Sequence, residues 1–355
     1  MTDTVQTAVV GVTGYAGAEL ARLLLRHPRL KGKAPVFAGR VDEKDAARGG
    51  IPIAEIHPQL ADNNGSGGLR LEMFSWELLA DRGVEVLFLA TPHEQSREWV
   101  PQALARGLRV IDLSGAWRLN EAEHRAVYAF KDDGSQQANA TQAQAVYGMP
   151  ELHRAQIAGA RLVANPGCYA TSVILALRPL VAAGVLDLGY GIVADAKSGV
   201  SGAGKAATAK THYMYAADNL SAYSVFTHRH TGELLEQIGL CTSQIVFTPH
   251  LLPIPRGILS TVYVRFCEPQ KNESVARIYG EFFAGSPMVR LYGNTLPQIQ
   301  YSVRTNYADI GFQLAADGRR AVIVSCLDNL LKGASGQAVQ NLNVMLGWRE
   351  AEGLE

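Results

Sequence analysis

The feature that most constrains the fold is a series of short, almost wholly apolar runs separated by stretches with helical spacing. The run VEVLFLAT at 84–91 has the composition of a strand buried on both faces of a parallel sheet. A helix-compatible stretch at 94–106 follows it and leads to another such run at 109–113. Strands that alternate with helices in this way predict an α/β fold with a doubly wound parallel sheet.

The chain opens with the same β–α–β order. Residues 6–12 form a β-branched apolar run, residues 18–26 carry leucines at helical spacing, and residues 34–40 have the pattern of a second short strand. Glycines between a strand and a helix let the backbone approach a pyrophosphate, and the N–H groups of the helix start face that anion. This placement favours a Rossmann-type dinucleotide site over an empty tight turn. The turn in question is GVTGYAG, with Gly11, Thr13, Gly14, Tyr15, Ala16 and Gly17 as candidate cofactor-binding residues.

The end of the second strand predicts which dinucleotide binds. Arg40 closes the run FAGR at 37–40. A site for NAD would place Asp or Glu here to accept a hydrogen bond from the ribose 2′-hydroxyl, whereas an arginine suits the 2′-phosphate of NADP. The sequence therefore favours NADP, with a solvated surface arginine as the alternative.

The second half of the chain has a different character. A helical pattern at 170–183 is followed by Gly- and Ser-rich sequence and then by alternating strands, such as 245–248 and 260–266. This order predicts an α+β region with a mainly antiparallel sheet. Residues 132–145, rich in Gln, Ser and Ala, are expected to form a surface loop, and residues 333–348 an amphipathic helix.

Composition excludes several other classes of protein. Lysine and arginine number 33, as do aspartate and glutamate, so we expect no nucleic-acid partner and no binding to an anionic membrane. The most apolar long stretch, 171–193, is interrupted by Arg178, Pro179 and Asp187, and no membrane span is expected. Residues 1–4 resemble neither a signal peptide nor a transit peptide. The sequence predicts a cytoplasmic enzyme that acts on a small molecule.

One cysteine stands in a reactive setting. In the run NPGCYAT at 165–171, Pro166 and Gly167 impose a sharp turn after a strand, and helical sequence follows. Cys168 is then expected at a helix N-terminus, where the helix dipole favours the thiolate and N–H groups can stabilise an oxyanion. This setting favours a nucleophile over a buried core cysteine. The other cysteines lie in apolar, strand-like surroundings without C-x-x-C spacing, which predicts packed thiols and neither a zinc site nor disulfides: Cys241, Cys267 and Cys326.

A cysteine nucleophile needs a proton partner, and the segment HRHTGE at 228–233 offers two histidines. One of His228 and His230 is expected to act as general acid/base, while the other, with Arg229, positions the substrate. The residues alone leave open which histidine reaches Cys168. A metal site is the weaker interpretation of this pair because no other ligands cluster nearby.

Together with other runs along nearly the whole chain, these residues resemble the N-acetyl-γ-glutamyl-phosphate reductase family, relatives of aspartate-semialdehyde dehydrogenase. The matching runs are GVTGYAGAELARLLLRHP at 11–28, ATPHEQS at 90–96, IDLSGAWRL at 111–119, VYGMPEL at 146–152, NPGCYAT at 165–171, SGVSGAGK at 198–205, HRHTGE at 228–233, TPHLLPIPRGILST at 248–261 and DNLLKGASGQAVQN at 328–341.

The resemblance implies a mechanism and further site residues. Cys168 attacks an acyl phosphate to form a thioester, and hydride from NADPH reduces it to the aldehyde, with His230 as acid/base and His228 binding substrate. It also implies that arginines hold the anionic substrate, with salt bridges as their alternative role, that an asparagine contacts the reacting carbonyl, and that a glycine-containing loop lies at the nicotinamide end. These further residues are Arg118, Asn165 and Arg256 for the substrate and Ser198, Gly199 and Asn329 for the cofactor.

The resemblance also completes the predicted organisation. We expect a NADP-binding domain at 1–165, completed by a C-terminal helix at 333–355, and a catalytic and oligomerisation domain at 166–332 in a homo-dimer or homo-tetramer. Two alternatives remain open: a related reductase, either aspartate-semialdehyde dehydrogenase or an aminoadipate-phosphate reductase, and a non-catalytic NADP-binding sensor. The aminoadipate substrate is the harder to separate, because one methylene changes binding by only about 1–3 kcal/mol.

Overall fold

A computed structural model describes residues 4–61 and 68–355, and these group into two compact units. Unit 1 is drawn from Met1–Arg118, Lys131–Asn165 and Ser335–Glu355, and unit 2 from Leu119–Phe130 and Pro166–Ala334. No helix among the described residues is long and apolar enough to cross a membrane.

Unit 1 is built on a mostly parallel sheet flanked by helices. Its strands are β1 (Thr7–Val10), β2 (Val36–Gly39), β3 (Ile51–Pro52), β4 (Arg70–Met73), β5 (Val86–Leu89), β6 (Arg109–Asp112), β7 (Ala145–Tyr147) and β8 (Leu162–Ala164). They follow the order β3–β4–β2–β1–β5–β6–β8–β7, with antiparallel pairing only between β3 and β4 among the described strands. Its helices are α1 (Tyr15–Arg26), α2 (Glu43–Ala47), α3 (Ile53–Ile56), α4 (Trp76–Asp81), α5 (His93–Ala105), α7 (Gln136–Gln142), α8 (Pro150–Ala158) and α14 (Gly336–Met345).

The burial of the central strands explains why apolar runs in the sequence predict a parallel sheet. All four side chains of β5 are fully buried, because helices cover both faces of a central parallel strand. β1 lies beside β5 and pairs with it in parallel register, Val9 opposite Phe88. The order of the strands places the end of β1, and the glycine turn that follows it, at the middle of the sheet.

One local prediction for unit 1 is wrong. Residues 132–145 are not a loop throughout, because they contain α7. The Ser135 hydroxyl accepts a hydrogen bond from the Ala138 N–H and caps the helix, and Ala138 and Thr141 are buried. The polar composition of the segment concealed a helix that needs only a few buried positions.

The C-terminal helix belongs to unit 1. Every residue of α14 is buried, which is why its sequence carries small and amide side chains as well as apolar ones. The Asn341 amide donates to the Gly148 carbonyl at 2.8 Å and to Oδ1 of Asn165 at 3.0 Å. These bonds join α14 to the segment that ends at the cysteine turn.

Unit 2 is an α+β structure with a mainly antiparallel sheet. Its strands are β9 (Ile192–Gly199), β10 (Ser221–Ala222), β11 (Ile245–Leu252), β12 (Ile258–Arg265), β13 (Val289–Gly293), β14 (Ala308–Leu314) and β15 (Arg320–Leu327). The order is β10–β11–β9–β12–β15–β14–β13, in which β11–β9 and β13–β14 pair in parallel. Its helices are α6 (Ala122–Arg125), α9 (Cys168–Ala182), α10 (Tyr213–Ala216), α11 (Thr231–Ile238), α12 (Asn272–Phe282) and α13 (Ile299–Ser302).

The two faces of this sheet differ. On one face the apolar helix α9 packs against β12 and β15, and the Ser172 hydroxyl bonds Ser260 at 2.8 Å. On the other face, one apolar side chain from each of β11, β9, β12 and β15 forms a row across the sheet. The side chains from β11, β9 and β12 are exposed. The row consists of Val246, Val193, Tyr263 and Val322, which lie opposite one another in register.

The segment 119–130 lies in unit 2, whereas the sequence prediction includes it in the first domain. The carboxylate of Glu236 on α11 accepts hydrogen bonds from the backbone N–H groups of Asn120 and Glu121. The same carboxylate lies 2.9 Å from Nδ1 of His124 on α6. A contact of this kind, between segments more than a hundred residues apart, has no local signature in the sequence.

Candidate active site

The glycine turn of unit 1 has the geometry that a dinucleotide requires. Gly11 adopts a φ of +94°, and a Cβ there would collide with the Ala90 carbonyl. A Cβ on Gly17 would collide with the carbonyl oxygen of Gly11, so helix α1 can approach the turn only with glycine at this position. Gly14 precedes α1 as its N-cap. The cradle therefore fits a pyrophosphate at a helix N-terminus.

The other predicted residues of this turn lie at its surface. Thr13 and Tyr15 are exposed, while the Ala16 carbonyl accepts a hydrogen bond from the Ser335 hydroxyl at 2.7 Å. Arg40 is exposed immediately after the end of β2. In parallel sheets of this type ligands bind outside the carboxyl ends of the strands, which is where Arg40 stands.

The cysteine turn of unit 2 places Cys168 at the first residue of α9, with Gly167 as the N-cap. The backbone N–H of Gly167 donates to Oε2 of the fully buried Glu233 at 2.9 Å. A Cβ on Gly333 would lie 2.8 Å from Cβ of Cys168, so the chain after β15 passes directly against the cysteine. These contacts hold the half-buried thiol at the start of a 15-residue helix.

The two histidines lie beside this turn. His230 is the N-cap of α11, and a Cβ on Gly167 would lie 2.6 Å from its Cε1 atom. Its Nε2 atom is 4.0 Å from Oε1 of Glu233. The ring of His228 lies 4.7 Å from that of His230 at an angle of 83°, and its Nδ1 accepts a hydrogen bond from the His230 N–H at 3.1 Å. The structure thus brings both histidines to the cysteine turn.

Burial determines the protonation state of His228. Burial, together with the positive charge of Arg229, lowers the pKa of His228 to about 4. A neutral His228 whose Nδ1 accepts a hydrogen bond carries its proton on Nε2, so this ring is a hydrogen-bond donor near neutral pH.

Two tyrosines complete the aromatic surroundings of the histidines. The Tyr169 hydroxyl donates to the His250 carbonyl at 2.6 Å, and its ring lies 5.6 Å from that of His228. Burial raises the pKa of Tyr169 well above its ordinary value and that of Tyr223 to about 12. Both hydroxyls therefore keep their protons over the physiological pH range.

The residues of the cysteine turn and the histidine segment open onto one cavity of about 610 Å³, a size typical of small-molecule sites. Cys168, Ser198, His228 and His230 line it. Tyr169, Lys210, Tyr223 and Arg229 also line it, and the sequence prediction gives no role to the first three of these. The cavity is therefore more basic and more aromatic than the motifs indicate.

The predicted nicotinamide-end residues Gly199 and Asn329 of unit 2 are held by the chain segments around them. Oδ1 of Asn329 accepts a hydrogen bond from the Gly257 N–H at 2.7 Å, and its Nδ2 donates to the Ser201 hydroxyl at 2.9 Å. A Cβ on Gly199 would lie 2.7 Å from the Ile254 carbonyl oxygen, so the loop after β9 packs closely on the chain before β12.

The predicted substrate arginines have protein partners. In unit 1, buried Arg118 donates to the carbonyls of Asn165 and Leu113, at 2.7 Å in each case. In unit 2, Arg256 pairs with the buried carboxylate of Asp328 at 3.0 Å, which is the salt-bridge alternative of the sequence analysis. Both guanidinium groups therefore have structural partners.

Two cysteines are placed differently from the prediction. Cys326 is buried, and burial raises the pKa of its thiol to about 12. Cys241 and Cys267 are exposed, so the prediction of packed thiols is wrong for them. Cys241 precedes β11 and Cys267 follows β12, where the alternation of buried and exposed positions no longer applies.

The sequence prediction also gave no role to Glu233, which joins the Gly167 N–H to His230. Its position three residues after His230, on the same face of α11, is the signal that could have indicated a partnership.

Comparison with known proteins identifies the family. Residues 6–160 match the family described as "Semialdehyde dehydrogenase, NAD binding domain", and residues 168–329 match "Semialdehyde dehydrogenase, dimerisation domain". An N-acetyl-gamma-glutamyl-phosphate reductase of Desulfotalea psychrophila is 42% identical over 99% of this chain and 98% of its own length. A protein of the same name from Methanococcus maripaludis is 39% identical over 98% of this chain and 97% of its own length. The chain belongs to the N-acetyl-gamma-glutamyl-phosphate reductase family.

Membership of this family confirms the predicted fold class and the predicted enzyme class, an oxidoreductase. Solved structures agree on the fold alone. An aspartate semialdehyde dehydrogenase of Vibrio cholerae has a TM-score of 0.69 at 18% identity, over 97% of this chain and 99% of that one. The enzyme of Candida albicans, whose structure contains NADP, has a TM-score of 0.66 at 15% identity, over 96% and 98%.

Proposed function

We propose that the chain reduces N-acetyl-γ-glutamyl phosphate to N-acetylglutamate semialdehyde with release of phosphate, as a step of arginine biosynthesis. The observation that carries this proposal is the placement of Cys168 at the first residue of α9, in the cavity that His228 and His230 also line. A thiol at a helix N-terminus is stabilised as the thiolate, which is the nucleophilic form.

His230 is the acid/base in this proposal, and His228 binds substrate. Glu233 lies 4.0 Å from Nε2 of His230 and favours its protonated form, so His230 can take the Cys168 proton and return it later. His228 has a pKa of about 4 and stays neutral, so it suits a donor to the substrate oxygen rather than a base.

The reaction then needs two stages on one sulfur. The Cys168 thiolate adds to the carbonyl carbon of the acyl phosphate, the bond from that carbon to the phosphate oxygen breaks, and a thioester remains on the enzyme. When bound, NADPH supplies the hydride that reduces the thioester carbon. His230 protonates the carbonyl oxygen during this reduction. His230 then removes the proton from the hydroxyl of the resulting thiohemiacetal. The C–S bond breaks, the aldehyde leaves and the Cys168 thiolate re-forms.

We propose NADP as the cofactor, held by the glycine cradle at 11–17 with Arg40 at the 2′-phosphate, and by Ser198, Gly199 and Asn329 at the nicotinamide end. The close approach of α1 to the turn and the exposure of Arg40 at the end of β2 support this assignment. The substrate-binding roles of Arg118, Asn165 and Arg256 stay predictions.

The remaining proposals concern organisation. Unit 1 would serve as the NADP-binding domain and unit 2 as the catalytic and oligomerisation domain of a cytoplasmic homo-dimer or homo-tetramer. The row of Val246, Val193 and Tyr263 on the open face of the sheet supports assembly through that face, because an exposed apolar surface of this kind favours burial against a second copy.

The test is phosphate-dependent reduction of NADP⁺ with N-acetylglutamate semialdehyde, compared with aspartate semialdehyde and the aminoadipate analogue. We expect the first substrate to be preferred and Cys168→Ser to abolish turnover, while Cys267→Ser, at an exposed thiol outside the cavity, keeps it. A preference for either competitor would contradict the substrate assignment, and an active Cys168→Ser variant would contradict the mechanism.

A further inference from the structure

The cavity at Cys168 carries positive charge without a compensating carboxylate. Of the described residues that line it, Lys210 and Arg229 are cationic, and none is Asp or Glu. Other basic side chains of unit 2 are neutralised, such as Lys197 by Asp195 at 2.6 Å and Arg256 by Asp328 at 3.0 Å. Neither Lys210 nor Arg229 has an ion-pair partner in residues 4–61 and 68–355. An unneutralised pair of cations facing a cavity attracts an anionic ligand.

Lys210 lies in a turn that is stabilised by local hydrogen bonds. It lies in the 3₁₀ turn Ala209–Thr211, where the Thr211 N–H donates to the Thr208 hydroxyl at 3.3 Å and the Thr208 N–H donates to the Thr211 hydroxyl at 3.0 Å. This reciprocal capping holds the backbone that carries the lysine. The side chain itself is exposed, so it can reach a ligand without giving up another partner.

The two cations reach the cavity wall from different segments of unit 2. Arg229 stands between the two histidines in the sequence and lines the cavity with them. Arg229 therefore belongs with the residues that act on the reacting carbonyl. Lys210 comes from a separate segment, eighteen residues before His228 in the sequence. It is therefore available to a charged group of the substrate other than the reacting carbonyl.

We propose that Lys210 binds the α-carboxylate of the substrate and is a specificity-determining residue, an inference that rests on the proposed function. N-acetylglutamate semialdehyde carries one negative charge, because its α-nitrogen is acylated and neutral. Aspartate semialdehyde carries an α-ammonium group that two cations repel and that no carboxylate of the described lining receives. The absence of acidic side chains from the described lining and the presence of Lys210 thus both favour N-acetylglutamate semialdehyde over aspartate semialdehyde.

The experiment measures the reverse reaction, in which the carboxylate and the phosphate arrive on separate molecules. Lys210→Met removes the charge but keeps the length of the side chain. We expect it to raise KM for N-acetylglutamate semialdehyde at least about tenfold, the effect of a lost charge-assisted hydrogen bond, and to leave KM for inorganic phosphate unchanged. The ratio of kcat/KM for N-acetylglutamate semialdehyde to kcat/KM for aspartate semialdehyde should also fall in this variant. Lys271→Met, at an exposed lysine outside the cavity, is the matched control and leaves both constants unchanged.

An unchanged KM for the semialdehyde in Lys210→Met, or an increase confined to phosphate, overturns the proposal. Calorimetric titration with N-acetylglutamate separates this result from a failure of the proposed function, because binding does not require turnover. If the wild-type chain is inactive, weaker binding by Lys210→Met than by wild type and Lys271→Met still supports a carboxylate site at Lys210. Equal binding by the three proteins, or none by wild type, overturns it.

Discussion

Glu233 is the residue on which the geometry of the cysteine turn most depends. One carboxylate oxygen accepts the Gly167 N–H at 2.9 Å, and the other lies 4.0 Å from Nε2 of His230. The side chain is fully buried, so both interactions act without screening by water. Glu233 is therefore a positioning residue that acts through Gly167 and His230.

Two substitutions separate these roles. Glu233→Ala leaves the Gly167 N–H without an acceptor, which we expect to lower the free energy of unfolding by about 1–3 kcal/mol. Glu233→Gln retains an oxygen acceptor but removes the charge that favours protonated His230, so kcat should fall at least about tenfold and the pKa of His230 in the pH–rate profile should decrease. Denaturant unfolding measures the free energy of unfolding, and pH–rate profiles measure kcat and the pKa. A Gln variant with wild-type activity and an unshifted profile would contradict the role given to Glu233.

His228 gives the chain a pH-dependent stability. Its pKa in the folded chain is about 4, below the value of 6.5 for an unperturbed histidine. Between these values the unfolded chain binds a proton that the folded chain excludes, so stability is lost as pH falls through this range and is fully present above it. The shift corresponds to about 3 kcal/mol.

The contribution of His228 is isolated by comparison with His228→Gln, which cannot titrate. We expect the free energy of unfolding to fall between neutral pH and about pH 4.5 by about 2–3 kcal/mol less in the variant than in the wild type. Urea unfolding at both pH values measures the difference. Parallel pH dependence in the two proteins would show that burial does not exclude a proton from this ring.

At the scale of elements, the junction of β1 and α1 depends on glycine. Gly17→Ala puts a Cβ against the backbone carbonyl of Gly11, which no side-chain rotation can relieve. We expect α1 to shift, the free energy of unfolding to fall by about 1–3 kcal/mol, and NADPH affinity to fall at least about tenfold. Thermal unfolding and fluorescence titration with NADPH measure these effects.

Gly14→Ala is the matched control for stability. Its Cβ would lie 3.6 Å from the Gly11 carbonyl oxygen, an ordinary contact, and the φ of −81° suits any residue. Because alanine is a poorer N-cap than glycine, this variant should lower the melting temperature slightly, and by less than Gly17→Ala does. Equal thermal stability of the two alanine variants would show that the close approach at Gly17 is not limiting.

Elements differ in how well their sequence predicts them. β5 and α9 agree with the prediction to within two residues at each end, because an apolar run or an apolar helix that begins at a glycine has few alternatives. α7 was missed because a short capped helix with two buried residues has the composition of a loop. The local sequence pattern is therefore sufficient to predict a helix or strand when most of its residues are buried.

At the scale of the whole molecule, the open face of the unit 2 sheet predicts self-association. Val193 and Tyr263 are 42% and 46% exposed in neighbouring strands, and a charge placed between them would remain unpaired after association. We expect Tyr263→Lys to shift the chain to monomer in sedimentation velocity. Met73→Lys, at an exposed residue of unit 1, should leave the assembly intact. An unchanged assembly in Tyr263→Lys would place the interface elsewhere.

The sequence by itself determined the class of each part of the chain. Apolar strands alternating with helices, the glycine turn at 11–17 and the turn before Cys168 depend on backbone preferences and local burial, which neighbouring residues specify. Only the tertiary structure decided that Glu233 would join Gly167 to His230, that Arg256 would pair with Asp328, and that burial would keep His228 neutral. These outcomes depend on contacts between distant segments, and charge and proton affinity follow from the surroundings those contacts create.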